Sequence, residues 1–190
     1  ELRPSRAPGP TRKRSTMKLT EILSIEEWMQ FEKEVFERFD LNARVYDTSG
    51  AGVSGKALWC NPLCPKIKAN RESLELICIL GNLNFMAQAK KTGRFVVGEC
   101  DAGLVKIAVP IFVEGEFLGT AGGCGRLPAG GEVEAFIIEK TTGLTGEEVS
   151  ELCRGLKPMT EDEARLAAGF IATRLAQYMA QARLKAGRDA

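Results

Sequence analysis

Apolar residues recur at helical spacing through Trp28, Phe31, Val35 and Phe39, with Glu32, Lys33 and Glu37 between them. That period predicts a helix with one face toward a core and those three charges outside it. Ser24 and Glu27 predict its start, because their side chains can satisfy two unpaired backbone donors reciprocally. The same step, hydroxyl then glutamate three residues on, recurs at Thr145/Glu148 and Thr160/Glu163, ahead of two more helical stretches. The second of these carries the stripe Ala164, Ala167, Ala168, Ile171, Leu175, Tyr178 and Met179, whose small members admit a close neighbour. EVEAFIIEKTTG reads as a shorter helix before them.

The middle of the chain changes period. Residues 73–93, SLELICILGNLNFMAQAKKTG, still read as helix, with Leu74, Cys78, Phe85 and Ala89 near one side and Gly93 as the cap. Cys78 is thereby expected on a buried face. Ala43 to Tyr46 reads as a short strand running into a polar turn, and RFVVGECDAG as another strand. LVKIAVPIFVEGEFLGTAGGC reads as two strands joined at Glu114-Gly115. Pro110 inside the first predicts an edge or a bulge there. Four glycines in residues 119–125 predict that a ligand or a crossing helix approaches that backbone closely. The sequence of elements predicts an α+β domain: a small antiparallel sheet covered by helices, plus N- and C-terminal helices.

At 190 residues the chain has room for one well-filled core. Residues 1–16 are basic and proline-rich without an apolar face, so they read as a disordered tail or a remnant of cloning; residues 17–187 carry the domain. No apolar run approaches the ~20 residues of a membrane span, and nothing resembles a secretory signal. The expected compartment is the cytoplasm, with thiols reduced. A net charge of +1 gives no general attraction to nucleic acid or a membrane surface. The chain has six cysteines and no histidine. That absence removes Ser-His-Asp and Cys-His catalysis and every zinc site that needs imidazole. No phosphate loop, nucleophile elbow or carboxylate pair stands out, and strand alternation separates Glu99 and Asp101 from Lys106. The expectation is a domain that is not an enzyme.

LCPKIKAN, then Cys78 in a helix, then ECDAGLVKIAVPIFVEGEFLGTAGG together resemble the PocR sensory domain over about residues 18 to 180. The resemblance implies a PAS-like variant fold of the kind attached to bacterial transcription regulators, histidine kinases and chemoreceptors. It implies a non-catalytic domain binding a small organic metabolite, a hydrocarbon derivative such as a short diol, in signal transduction or transcription regulation. The chain departs from the family pattern twice. Asp101 stands where members often have histidine, and Cys124 where glutamine is usual. Since no output segment follows residue 190, the expected partner is a separated output module or a signalling protein, with a homodimer through either terminal helix. Direct contact with nucleic acid or membrane is not expected.

For the cysteines three readings stand. They can be small core residues, which suits Cys153 best. They can ligate zinc or an iron–sulfur cluster through Cys64, Cys78, Cys100 and Cys124, although their spacing matches no metal motif. Cys60 and Cys64 can form a redox-responsive pair. The ligand is expected between the sheet and the helix of residues 71–92, with Cys64, Cys78 and Cys100 lining the hollow. Trp59 and Phe85 are candidate apolar walls, with a plain core role equally open, and Lys106 or Asn70 a candidate polar contact. Lys66, Lys68, Lys90 and Lys91 read as a solvated face.

Overall fold

A computed structural model gives residues 17–55 and 57–186; the tail expected over residues 1–16 lies outside the described residues. Strands β1 (Arg44–Asp47), β2 (Val96–Glu99), β3 (Val105–Val113) and β4 (Glu116–Cys124) form one antiparallel sheet in the order β1-β4-β3-β2. The β3–β4 hairpin closes as the sequence predicts. Glu114 and Gly115 both take left-handed φ, 50° and 81°, as the tight turn matching the twist of the strands requires. Pro110 sits in β3 beyond Ala108, the last residue paired with β2, so the strand is locally an edge there, one residue before a bulge.

Alternation along β3 divides the molecule. Val105, Ile107, Val109 and Ile111 face helices α2 (Ile25–Phe39) and α8 (Glu161–Ala186), in a core with Trp28, Phe31, Val35, Ala167 and Ile171. Both capping boxes form, Ser24 with Glu27 and Thr160 with Glu163. Trp28 Nε1 donates to the Leu19 carbonyl of α1 (Leu19–Ile22) at 3.0 Å. The two long helices are tied together where the Phe31 ring meets Tyr178 edge-on and Arg174 pairs with Glu34 at 2.7 Å.

Glu32 is a correction. It was expected outside, yet it is 2 % exposed, because α2 lies against the end strand β1. Its carboxylate accepts the Val45 N–H at 2.8 Å and the Ser54 hydroxyl. Burial raises its pKa above the ordinary value, more than these bonds and Arg44 lower it. A carboxyl with a raised folded pKa contributes stability below the ordinary glutamate range and loses it as pH climbs through the folded value. Glu32→Gln keeps an acceptor for Val45 without the charge. Urea melts are therefore expected to show wild type losing ground to the variant as pH rises above the ordinary glutamate range; a constant difference contradicts this.

On the other face of the sheet lies a chain of short helices: α3 (Leu63–Ala69), α4 (Arg71–Ser73), a π-helical stretch (Leu74–Ile79) and α5 (Leu80–Thr92). Gly93 ends it in the left-handed conformation, as expected. The sequence predicts one regular helix here, and the π stretch is the difference. Its wider turn rotates the inward face to Ile77, Gly81, Asn82, Met86 and Ala89, leaving Leu74, Cys78 and Phe85 half-buried. A second core gathers Leu63, Ile67, Ile77 and Leu104 with Ile138 of α6 (Ala135–Thr142) and Val149 of α7 (Gly146–Cys153). The parallel pair β5 (Leu127–Pro128) and β6 (Pro158–Met159) was not expected, since two-residue strands carry no period.

Candidate ligand cavity

Between the π stretch and the sheet lies a small hollow of about 30 Å³. That is room for one or two waters, so a larger guest requires the covering helix to move. Four thiols meet at its wall from four separate places: Cys64 in the first turn of α3, Cys78 in the π stretch, Cys100 just after β2 and Cys124 at the end of β4. Tyr46, Lys68 and Lys106 add polar atoms, and Ile67, Ile77, Ala102 and Leu104 the apolar ones. No Asp or Glu lines it.

The sequence around Asn61 builds one side. Asn61 Oδ1 accepts the Cys64 N–H at 2.8 Å, starting α3, while its Nδ2 donates to the Gly125 carbonyl at 2.6 Å and to Cys64 Sγ at 3.4 Å. One amide thereby clamps α3 to the end of β4. This clamp needs glycine at 125, where φ is +104° and a Cβ would stand 2.5 Å from Asn42 Nδ2 and 2.8 Å from Asn61 Nδ2. The sequence predicts a ligand or a crossing helix at the glycine strand; instead neighbouring-strand carbonyls of Tyr46 and Ile107 approach Gly119 and Gly122, Leu41 approaches Gly123, and Asn42, Asn61 and Cys60 approach Gly125. The Cys-Asp-Ala-Gly-Leu loop builds the opposite side. There Cys100 N donates to the Leu104 carbonyl at 2.8 Å and Gly103 N to the Cys100 carbonyl at 2.8 Å, while the Ala102 and Leu104 N–H groups draw the Cys100 pKa down against burial.

Burial dominates the electrostatics. It pushes the Cys78 thiol up to about 11, against the pull of Lys68, and raises Cys64 and Cys100, each further lifted by Cys124. Burial likewise raises Tyr46 to about 12, against the pull of Lys106. Without a guest Cys64, Cys78 and Cys100 are thus neutral thiols. Lys106 is 7 % exposed, and its aliphatic stem leaves β3 toward the covering helix. Among the described residues it makes no ion pair; its Nζ lies 5.8 Å from the centre of the Phe85 ring.

Of the residues expected to bind ligand, Cys64, Cys78, Cys100 and Lys106 meet at the cavity, joined by Cys124 from the candidate metal set. The other three stand elsewhere. Trp59 is 36 % exposed, its ring under the Lys68 ammonium at 5.1 Å. Asn70 caps α4, its Oδ1 accepting the N–H groups of Glu72 and Ser73. Phe85 lies behind the wall, against Gly98 and Lys106. Cys60 is not part of the lining; its sulfur reaches the Cys124 carbonyl at 3.7 Å. Cys153 packs at the margin of the second core. Asp101 is exposed, so the acid that replaces the usual histidine does not enter the cavity. Lys68, expected on a solvated face, does reach it. Sequence reasoning missed Tyr46; its parity with Arg44 along β1, opposite Gly122 and Thr120, is the signal that places it on the cavity face. Among the described residues no three Cys, Asp or Glu side chains converge closely enough to hold a single metal ion.

No curated protein matches the chain. Among solved structures, the GAF domain/HD domain protein from Geobacter sulfurreducens is similar in outline, with a TM-score of 0.38 and 8% identity over 88% of this chain and 99% of that one. No described helix is long and apolar enough to cross a membrane. The pattern of the sensory domain found in PocR matches residues 21–184, and it spans every element that walls the cavity. This chain belongs to the PocR sensory domain family.

Proposed function

We propose that the domain is a non-catalytic receiver whose input site is the thiol-lined cavity. The observation that supports this reading is the convergence of Cys64, Cys78, Cys100, Cys124, Lys106 and Tyr46 on one hollow beneath a π-helical stretch. Such stretches recur at functional sites, and this one covers the hollow, so its packing on the sheet is what a guest would change. A guest that prefers one packing over another shifts the balance between the two by its difference in affinity. The path outward is β3: Lys106 faces the guest, while its neighbours Val105 and Ile107 lie in the core shared with α2 and α8. Exposed Ile25 and Met29 on α2 and Leu166 on α8 offer apolar contacts for a homodimer or an output partner.

The lining suits a soft, negatively charged guest better than a short diol. A diol needs paired donors and acceptors, and here four sulfurs and two ammonium groups face the hollow with the Tyr46 hydroxyl as the single neutral oxygen group among the side chains. The test is direct. Protein isolated without oxygen is denatured, and what it releases is identified by mass spectrometry and elemental analysis. In parallel, short diols, small carboxylates and thiol-binding metal species are screened for a rise in melting temperature. A guest released in stoichiometric amount, or one class that stabilises wild type and not Cys100→Ala, is expected. A protein that releases nothing and responds to no class overturns the reading.

A further inference from the structure

We propose that Cys64, Cys78, Cys100 and Cys124 hold an iron–sulfur cluster of the four-cysteine, [4Fe–4S] type, with Lys106 and Lys68 as its counter-charges. The inference rests on the cavity being the input site and names the class of its guest.

The number of thiols at the hollow, four from four separate elements, is the ligand count of a cubane cluster. Zinc draws four sulfurs to about 2.3 Å from one centre, and no group of three donors among the described residues approaches that arrangement. A cubane places iron and sulfide between its thiolates, and α3, the π stretch, the loop after β2 and the end of β4 bring four cysteines to the wall of one hollow. At about 30 Å³ that hollow admits the eight core atoms only when the covering helix moves outward. Chain order explains why no short motif announces the site: each ligand comes from a different element.

The sulfurs also have the neighbours that a cluster requires. Cluster thiolates carry negative charge and are steadied by N–H groups pointed at them. Cys64 has Asn61 Nδ2 at 3.4 Å, and the N–H groups of Ala102 and Leu104 lie near enough to Cys100 to favour its thiolate.

Charge supplies an independent observation. Lys106 is more than nine-tenths buried, lines the hollow, and makes no ion pair among the described residues. With no carboxylate beside it, the Lys106 ammonium group is placed to pair with an anion held in the hollow. Four thiolates around a [4Fe–4S] core of charge +2 sum to −2, and the cavity presents two lysines.

Loading requires no outside oxidant or reductant when the core arrives intact. In a synthetic [4Fe–4S] complex with four small thiolate ligands, each cysteine thiol passes its proton to a departing thiolate as its sulfur bonds iron. Four iron–thiolate bonds break, four form, four small thiols leave, and the oxidation level of the core is unchanged.

The experiment treats the full chain with that complex without oxygen, removes the excess, and measures iron, acid-labile sulfide, visible absorption and the Mössbauer spectrum. About four iron and four sulfide per chain are expected, with a cubane spectrum. The near-isosteric variants Cys78→Ser, Cys100→Ser and Cys124→Ser are expected to retain less than a tenth of this iron when circular dichroism shows them folded, while Cys153→Ser retains all of it. Wild type retaining no more iron than these variants overturns the proposal, as does Cys153→Ser losing as much, or zinc bound one per chain without sulfide. An organic guest found in a protein that refuses the cluster also overturns it, yet leaves the input site standing; a protein that accepts neither sinks both.

Discussion

Gly125→Ala is expected to destabilise the protein by about 2–5 kcal/mol, summing backbone strain at a positive φ and overpacking against fixed neighbours. The new methyl group would meet Asn42 Nδ2 at 2.5 Å, Asn61 Nδ2 at 2.8 Å and Cys60 Sγ at 2.8 Å. None of these is the free end of a long, mobile side chain. Asn61 is held by its bond to Cys64 N, and Asn42 by its own to Cys60 N at 2.7 Å. Relief therefore means lifting α3 away from β4, which opens the cavity wall at Cys64. Two measurements check this together: the urea midpoint, and the rate at which Cys60 and Cys64 react with a soluble thiol reagent. The midpoint should fall and the rate rise. A loss below about 0.5 kcal/mol, the ordinary range for surface changes, with unchanged reactivity, contradicts the clamp.

The long, regular elements were legible in the sequence because their signals are local. Ser24/Glu27, Thr145/Glu148 and Thr160/Glu163 cap the helices they were expected to cap, and Glu114-Gly115 turns the hairpin. Glu32 was misplaced because the sequence shows charge and period but not the unpaired Val45 N–H that a buried carboxylate can satisfy. The π stretch was invisible for a related reason: its residues are ordinary helix formers, and the wider turn arises where Cys78 and Ile77 pack over the sheet. At the site, the PAS-like fold that the resemblance implies was enough to bring Cys64, Cys78, Cys100 and Cys124 toward one hollow, with Lys106 as a candidate polar contact. It could not show that Asn70 is engaged in capping or that Trp59 lies under Lys68 outside the hollow. Nor could it show that of the two departures from the family pattern Asp101 faces away while Cys124 faces in. Those facts depend on contacts between elements far apart in the chain.

Lys106→Met is expected to have effects of opposite sign on the empty and the occupied protein. Methionine keeps the unbranched stem and the contact with Phe85, and it removes a charge that lies 7 % exposed without a carboxylate partner. Removing a charge from the apolar side of the sheet relieves its desolvation, so the empty variant is expected to be the more stable. The same change withdraws the nearest counter-charge from an anionic guest bound to the four cysteines. A residue that weakens the empty fold and strengthens the bound one is the mark of a site kept for function. The account's central claim is that this cavity exists to hold such a guest. Its most direct test is therefore one set of melts: wild type and Lys106→Met, each empty and each after treatment with the synthetic [4Fe–4S] complex. The prediction is that the variant melts above wild type when empty and gains clearly less from loading. A variant that melts lower when empty, or that gains as much as wild type on loading, would contradict the claim.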